Sequence, residues 1–117
     1  MRKSLIIYFF LLFIIGFCLY AFGLNNVLFF DDEHLILDNL FIRELSWSNI
    51  SSWFTTNAFA GSGRISEYYR PLLTASFAVN YAIDGFRPFG YHLVNNLIHI
   101  INSFLVFWLA FYALRKQ

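Results

Sequence analysis

Two long stretches of this chain carry no charged residue. One runs from residue 4 to residue 30 and the other from residue 88 to residue 114. In the first, residues 5–24 are almost wholly apolar, and 20 residues at ~1.5 Å rise cover about 30 Å, the depth of bilayer hydrocarbon. The pattern predicts a membrane helix over 1–24 and a second over 90–114. Between them lies a polar region, 25–89, with shorter periodic stretches. Ser46 is placed as an N-cap for a helix over 46–55, in which Trp47, Ile50, Trp53 and Phe54 share one face and Ser48, Asn49, Ser51 and Ser52 the other. That amphipathic face suits a helix lying on the bilayer with its tryptophans at headgroup level. Pro71 suits the first turn of another helix, 71–85, ended by Gly85. Its polar residues Ser76, Asn80, Asp84 and Arg87 fall in an arc of roughly 80°. At about 14 residues it is short for a third span. Asp38-Asn39 signals a turn, and Gly61-Ser62-Gly63 reads as a flexible hinge.

Composition sharpens the membrane reading. The chain has 117 residues, 59% hydrophobic and 13% charged, against about 45–50% and 25% in an ordinary soluble domain. Sixteen Phe, seven Tyr and three Trp exceed what a core of this size can bury. Cys18 is the single cysteine, so an intrachain disulfide is excluded. The net charge of +1 gives no reason to expect a nucleic-acid partner.

Charge position orients the helices. Arg2, Lys3, Arg115 and Lys116 lie at the ends, while all seven acids and four arginines lie between residues 31 and 87, leaving −3 there and +4 at the ends. The positive-inside rule then places both termini, including a tail at 115–117, in the cytoplasm. The loop faces outward from a plasma, inner or endoplasmic reticulum membrane. The apolar run exceeds the 7–15 residues of a secretory h-region, favouring a retained anchor, although Ala21-Phe22-Gly23 loosely fits a cleavage site. Asn49-Ile50-Ser51 is a glycosylation sequon.

Two groups of residues have chemical interest. Asp31, Asp32 and Glu33, followed by His34, stand beside the first helix as either a solvated cap or a binding cluster. In the last helix His92, Asn95, Asn96, His99, Asn102 and Ser103 fall within roughly 120° of arc. Such a stripe in hydrocarbon faces protein or a water-filled cavity, as helix–helix glue or as site lining. His92 and His99 are about 10 Å apart along the axis, too far to share a metal ion unaided.

The order Phe30-Asp31-Asp32-Glu33-His34, then Tyr68-Tyr69-Arg70-Pro71-Leu72, then Pro88-Phe89-Gly90-Tyr91-His92-Leu93-Val94-Asn95 resembles the N-terminal part of GT-C membrane glycosyltransferases. It is most similar to the transmembrane and tetratricopeptide-repeat O-mannosyltransferase-like proteins, and more distantly resembles the protein O-mannosyltransferases. The resemblance covers roughly residues 24–110. It implies an all-α membrane protein with a partial GT-C fold: two transmembrane helices joined by an extracytoplasmic loop. The family has many membrane helices, so this chain is expected to be a fragment or one part of a split protein, inactive alone, with further membrane helices or a repeat domain on a separate chain.

The family reaction moves a sugar from a polyprenyl-phosphate carrier to an acceptor hydroxyl on the extracytoplasmic face. By resemblance Asp31 matches the catalytic acid, Asp32 its neighbour and His34 the histidine. A carboxylate base takes the hydroxyl proton, the role expected of Asp31. Asp32 orients the acceptor or positions a divalent cation if one is used; no residue is assigned as a metal ligand. Arg70 is expected to hold the leaving phosphate, which suits a guanidinium fork. Tyr69, His34, His92 and Asn96 are expected to line the lipid-phosphate site. The alternative is a small non-catalytic two-span protein that uses the same polar stripes on partner helices or lipid head groups.

Overall fold

The computed structural model describes residues 2–115, with side chains described for 5–114. The terminal basic side chains that orient the topology argument, and tail residues 116–117, lie outside the described residues. The described residues form helices and turns, without strands. They divide into a helix-pair unit, residues 1–26 with 92–117, and a loop unit, residues 27–91.

The helix-pair unit contains α1 (Arg2–Ala21) and most of α4 (Pro88–Arg115). One helix, Pro88–Leu114, is long and apolar enough to cross a membrane by length and composition. The apolar part of α1, Leu5–Ala21, is shorter. The first helix therefore stops at Ala21, three residues before the expected end, and the chain turns through Gly23 and Leu24. Aromatic contacts join the two helices: Phe9 meets Phe104 edge-on at 5.0 Å and Tyr8 meets Phe107 at 5.4 Å. Most other large apolar side chains on both helices are exposed.

The loop unit has a core of its own. Leu35 and Ile36 come from a one-turn π-helical segment, Glu33–Leu37, and Ile42 from a 3₁₀ turn, Leu40–Ile42. They pack with Trp53 of α2 (Trp47–Thr55) and with Phe77 and Ala78 of α3 (Pro71–Asp84). Ser46 caps α2, its hydroxyl accepting the Asn49 N–H. Pro71 stands in the first turn of α3, where no amide donor is required, and Gly85 follows its last residue.

Two sequence expectations are corrected in this unit. Trp53 is buried, and its indole N–H donates to the Phe41 carbonyl at 2.9 Å. It anchors α2 to the loop core, so only Trp47, 84% exposed, is left for a bilayer surface. Within the polar arc of α3, Asn80 is buried, donates to the Ser76 carbonyl and abuts Gly90. The segment expected to be a hinge is a packed 3₁₀ turn, Ala60–Ser62, with Gly61 buried against Asn39.

Asn39 explains that packing. Its Oδ1 accepts the Phe41 N–H at 3.0 Å and its Nδ2 donates to the Leu35 carbonyl at 3.2 Å. A side-chain amide thus replaces the backbone pairing that the irregular segment lacks. Arg43 closes the same region. Its Nη2 donates to the Leu37 carbonyl, and its guanidinium stands 4.5 Å from the Phe86 ring centroid and 5.5 Å from that of Tyr81. This placement is the attraction of a cation for an aromatic face.

Candidate functional site

In the loop unit the acidic motif borders a cavity of about 550 Å³. Asp31, Glu33, His34 and Arg64 supply its polar wall, and Leu28, Phe29, Phe30 and Leu37 its apolar wall. The motif is presented by an unusual backbone. Phe30 has φ +61°, a left-handed conformation costly for a bulky residue. It turns the chain into the helical turn that carries the acids. The Asp38 N–H donates to the Glu33 carbonyl at 2.8 Å, closing the wide π turn.

The two aspartates are not equivalent. Asp32 Oδ2 accepts the Phe29 N–H at 3.2 Å, while the Asp32 N–H donates to the Phe29 carbonyl at 3.3 Å. Asp32 is thereby committed to holding the turn. The Asp31 carboxylate is exposed at the cavity and has no ion pair or hydrogen bond among the described residues. It is an acceptor without an internal donor. His34 Nδ1 faces Asp38 Oδ2 at 3.4 Å, one turn on. Among the described residues no three His, Cys, Asp or Glu side chains assemble as a metal-ligand group.

Arg70 does not border this cavity. It is the residue before α3, with its guanidinium 5.0 Å from the Tyr68 ring centroid and its carbonyl accepting from Thr74. Tyr69 is engaged elsewhere too, its hydroxyl donating to the Phe54 carbonyl at 3.1 Å. The cation that does border the acids is Arg64, which no sequence motif singled out. The only sequence signal for it was a basic residue in the Gly-Ser segment after α2.

The helix-pair unit has a separate cavity of about 390 Å³, lined by Tyr20, Gly23, Leu24, Asn26, His92, Asn95, Asn96 and His99. His92 Nε2 lies 3.0 Å from the Asn26 carbonyl. The Tyr20 and His99 rings meet edge-to-face at 5.4 Å. Asn96 is 5% exposed, and neither its Oδ1 nor its Nδ2 has a hydrogen-bond partner among the described residues. The predicted site residues therefore do not assemble in one place: the acids and His34 are at the loop-unit cavity, Tyr69 and Arg70 lie elsewhere in that unit, and His92 and Asn96 are in the helix pair.

Comparison with known proteins finds relatives for most of the chain. It is 38% identical over 89 residues to protein O-mannosyl-transferase TMTC2 of Mus musculus, covering 73% of this chain and 10% of the relative. Protein O-mannosyl-transferase Tmtc1 of Drosophila melanogaster is 33% identical over 100 residues, 82% of this chain and 11% of the relative. Tmtc2 of the same fly is 38% identical over 98 residues, 79% of this chain and 10% of the relative. The chain thus spans about a tenth of the length of the curated relatives it matches. No protein-family model matches the chain. No solved structure matches it either.

Proposed function

The chain is homologous to a segment of the TMTC protein O-mannosyl-transferases, and we propose from this that it supplies the catalytic carboxylate of a membrane glycosyltransferase. The reaction moves a sugar from a polyprenyl-phosphate carrier to an acceptor hydroxyl on the extracytoplasmic face. Asp31 is the general base: it takes the hydroxyl proton as the oxygen attacks the anomeric carbon, and the phosphate leaves with the electron pair. Asp32 keeps the loop in the conformation that presents Asp31. Arg70 is proposed as the phosphate holder from outside the acid cavity, and Arg64 is the arginine that borders the cavity. Both termini are cytoplasmic, and further membrane helices, on this chain's continuation or on another chain, complete the centre.

The observation that carries this reading is the contrast between the two carboxylates, with Asp32 tied to the Phe29 amide and Asp31 unpartnered beside a cavity. A base must have its lone pairs free for the incoming proton. The test is a chimera in which this chain's residues 24–110 replace the matching segment of a TMTC2 relative. Sugar transfer to an acceptor by the chimera supports the reading. A chimera that reaches the membrane, binds a lipid-linked sugar and transfers none assigns the chain to the non-catalytic class.

A further inference from the structure

Two faces of α4 differ in what covers them. One packs on α1: Ile100 lies so close to Gly16 that a Cβ there would come within 2.8 Å, and Phe104 and Phe107 meet Phe9 and Tyr8. Roughly 130° round the helix, at ~100° per residue, stand Asn95, His99, Asn102, Val106 and Leu109. All five are exposed. Their spacing alternates between four residues and three, the a/d period of a coiled-coil seam. The carboxamides of Asn95 and Asn102 make no hydrogen bond among the described residues. Asn102 stands near the middle of a 28-residue helix that is apolar enough to cross a membrane. An unpaired amide costs most there, because hydrocarbon offers it neither donor nor acceptor. Asn96, beside the seam, is buried and equally unpartnered among the described residues. The cavity of about 390 Å³ at this end of the seam has Asn95 and His99 on its wall and leaves room for side chains from outside.

We propose that this seam binds a second copy of the chain, α4 against α4 in parallel. Copies inserted in the same sense carry each seam residue at the same depth. Two-fold symmetry then sets Asn102 opposite its own counterpart, and Asn95 likewise. A carboxamide offers a donor and an acceptor side by side, so the facing pair satisfies itself with no other group. Hydrogen bonds of this kind hold membrane helices together, and a polar residue at a seam position fixes the register. Val106 and Leu109 continue the contact as apolar knobs. No Asp, Glu, Lys or Arg lies between residues 88 and 114, so the seam does not repel its own copy. This assignment does not rest on the chemistry of Asp31, and association is measured without any transfer reaction.

The experiment uses the full chain in phospholipid vesicles. In a Cys18→Ser background, the exposed Ile65 is replaced by Ile65→Cys and labelled with a donor or an acceptor fluorophore. Energy transfer that falls along a monomer–dimer curve as lipid dilutes the protein is the expected result. Asn102→Leu removes both polar atoms from the seam and is expected to weaken association about tenfold. Exchanging two neighbours, Ile101→Asn with Asn102→Ile, keeps the composition and moves the carboxamide ~100° off the seam. It is expected to lose as much. Should these variants fail to insert, oxidative cross-linking of the unlabelled chain gives an independent reading. Val106→Cys, on the seam, is expected to join two copies by a disulfide, and Trp108→Cys, exposed but off the seam, is not. Energy transfer no greater than chance proximity at every dilution overturns the proposal and assigns the seam to a different membrane helix. Unchanged association in both variants, or cross-linking as ready at 108 as at 106, overturns it as well.

Discussion

Asp32 and Phe29 hold each other through paired contacts. The Phe29 N–H donates to the Asp32 carboxylate at 3.2 Å, and the Asp32 N–H donates to the Phe29 carbonyl at 3.3 Å. Phe30, with positive φ, lies inside that bracket, and Asp31 is the residue it presents. A carboxylate capping a turn is worth about 1 kcal/mol against alanine. D32A is therefore expected to speed hydrogen exchange at the Phe29 amide about fivefold. D31A leaves that amide alone. Equal acceleration by both variants would mean that the bracket does not hold the turn.

Gly61 and Asn39 give a second test. A Cβ at Gly61 would come within 1.8 Å of Asn39 Oδ1 and 2.7 Å of its Cγ, and Asn39 cannot retreat without losing bonds to Phe41 and Leu35. Overpacking of this kind costs about 1–3 kcal/mol. G61A is expected to lower the denaturant midpoint of the loop unit, followed by Trp53 emission in the full chain. Ser62→Ala, one residue on, loses one hydrogen bond to the Phe59 carbonyl and falls less. A wild-type midpoint for G61A would show that the segment is the flexible hinge its glycines suggest.

Trp53 and Trp47 separate by environment. W53F loses the bond to the Phe41 carbonyl, leaves that acceptor bare and shrinks a core side chain, so it is expected to cost about 1–3 kcal/mol. W47F is expected to change loop stability by less than about 0.5 kcal/mol, as surface substitutions do. With Trp108 replaced by Phe, acrylamide should quench Trp47 and spare Trp53. Equal quenching of the two would show that Trp53 is not buried in the loop core.

These residues mark the boundary of what the sequence discloses. Ser46, Pro71 and Gly85 act through their own backbone neighbours, so the ends of α2 and α3 are legible in the letters around them. Trp53, Asn80 and Gly61 carry the same local signals as surface residues, and only the packing of distant segments makes them core. The end of α1 at Ala21 is not legible in the letters, because residues 22–24 remain apolar after the helix has turned. At the site, the acidic motif and the polar stripe of α4 stand out because charge and amides are rare in such surroundings. The division of labour between Asp31 and Asp32 is invisible in sequence, since it depends on which carboxylate reaches the Phe29 amide. Arg64 carries no sequence signal for a similar reason, because its place on the wall of the acid cavity depends on how the segment after α2 packs.

The proposed topology has its own measurement. Ile65 is fully exposed in the loop unit. In a Cys18→Ser background, Ile65→Cys is expected to react with an impermeant thiol reagent added to intact cells or right-side-out vesicles. Reaction only after permeabilisation would place the loop in the cytoplasm and remove the acids from the face where an extracytoplasmic acceptor is met.

The most direct test of the central claim compares Asp31→Asn with wild type in the chimera, measuring turnover and binding of the lipid-linked sugar separately. Asparagine keeps the shape and the hydrogen-bonding capacity of the side chain and removes its basicity. Loss of a general base typically costs 10²–10⁴-fold in rate. Turnover is therefore expected to fall by that factor, with donor affinity within about threefold of wild type and the Phe29 amide as protected as before. Turnover within threefold of wild type for Asp31→Asn, together with its abolition by Asp32→Asn, would contradict the account, because the base would then be the carboxylate that the structure assigns to the turn.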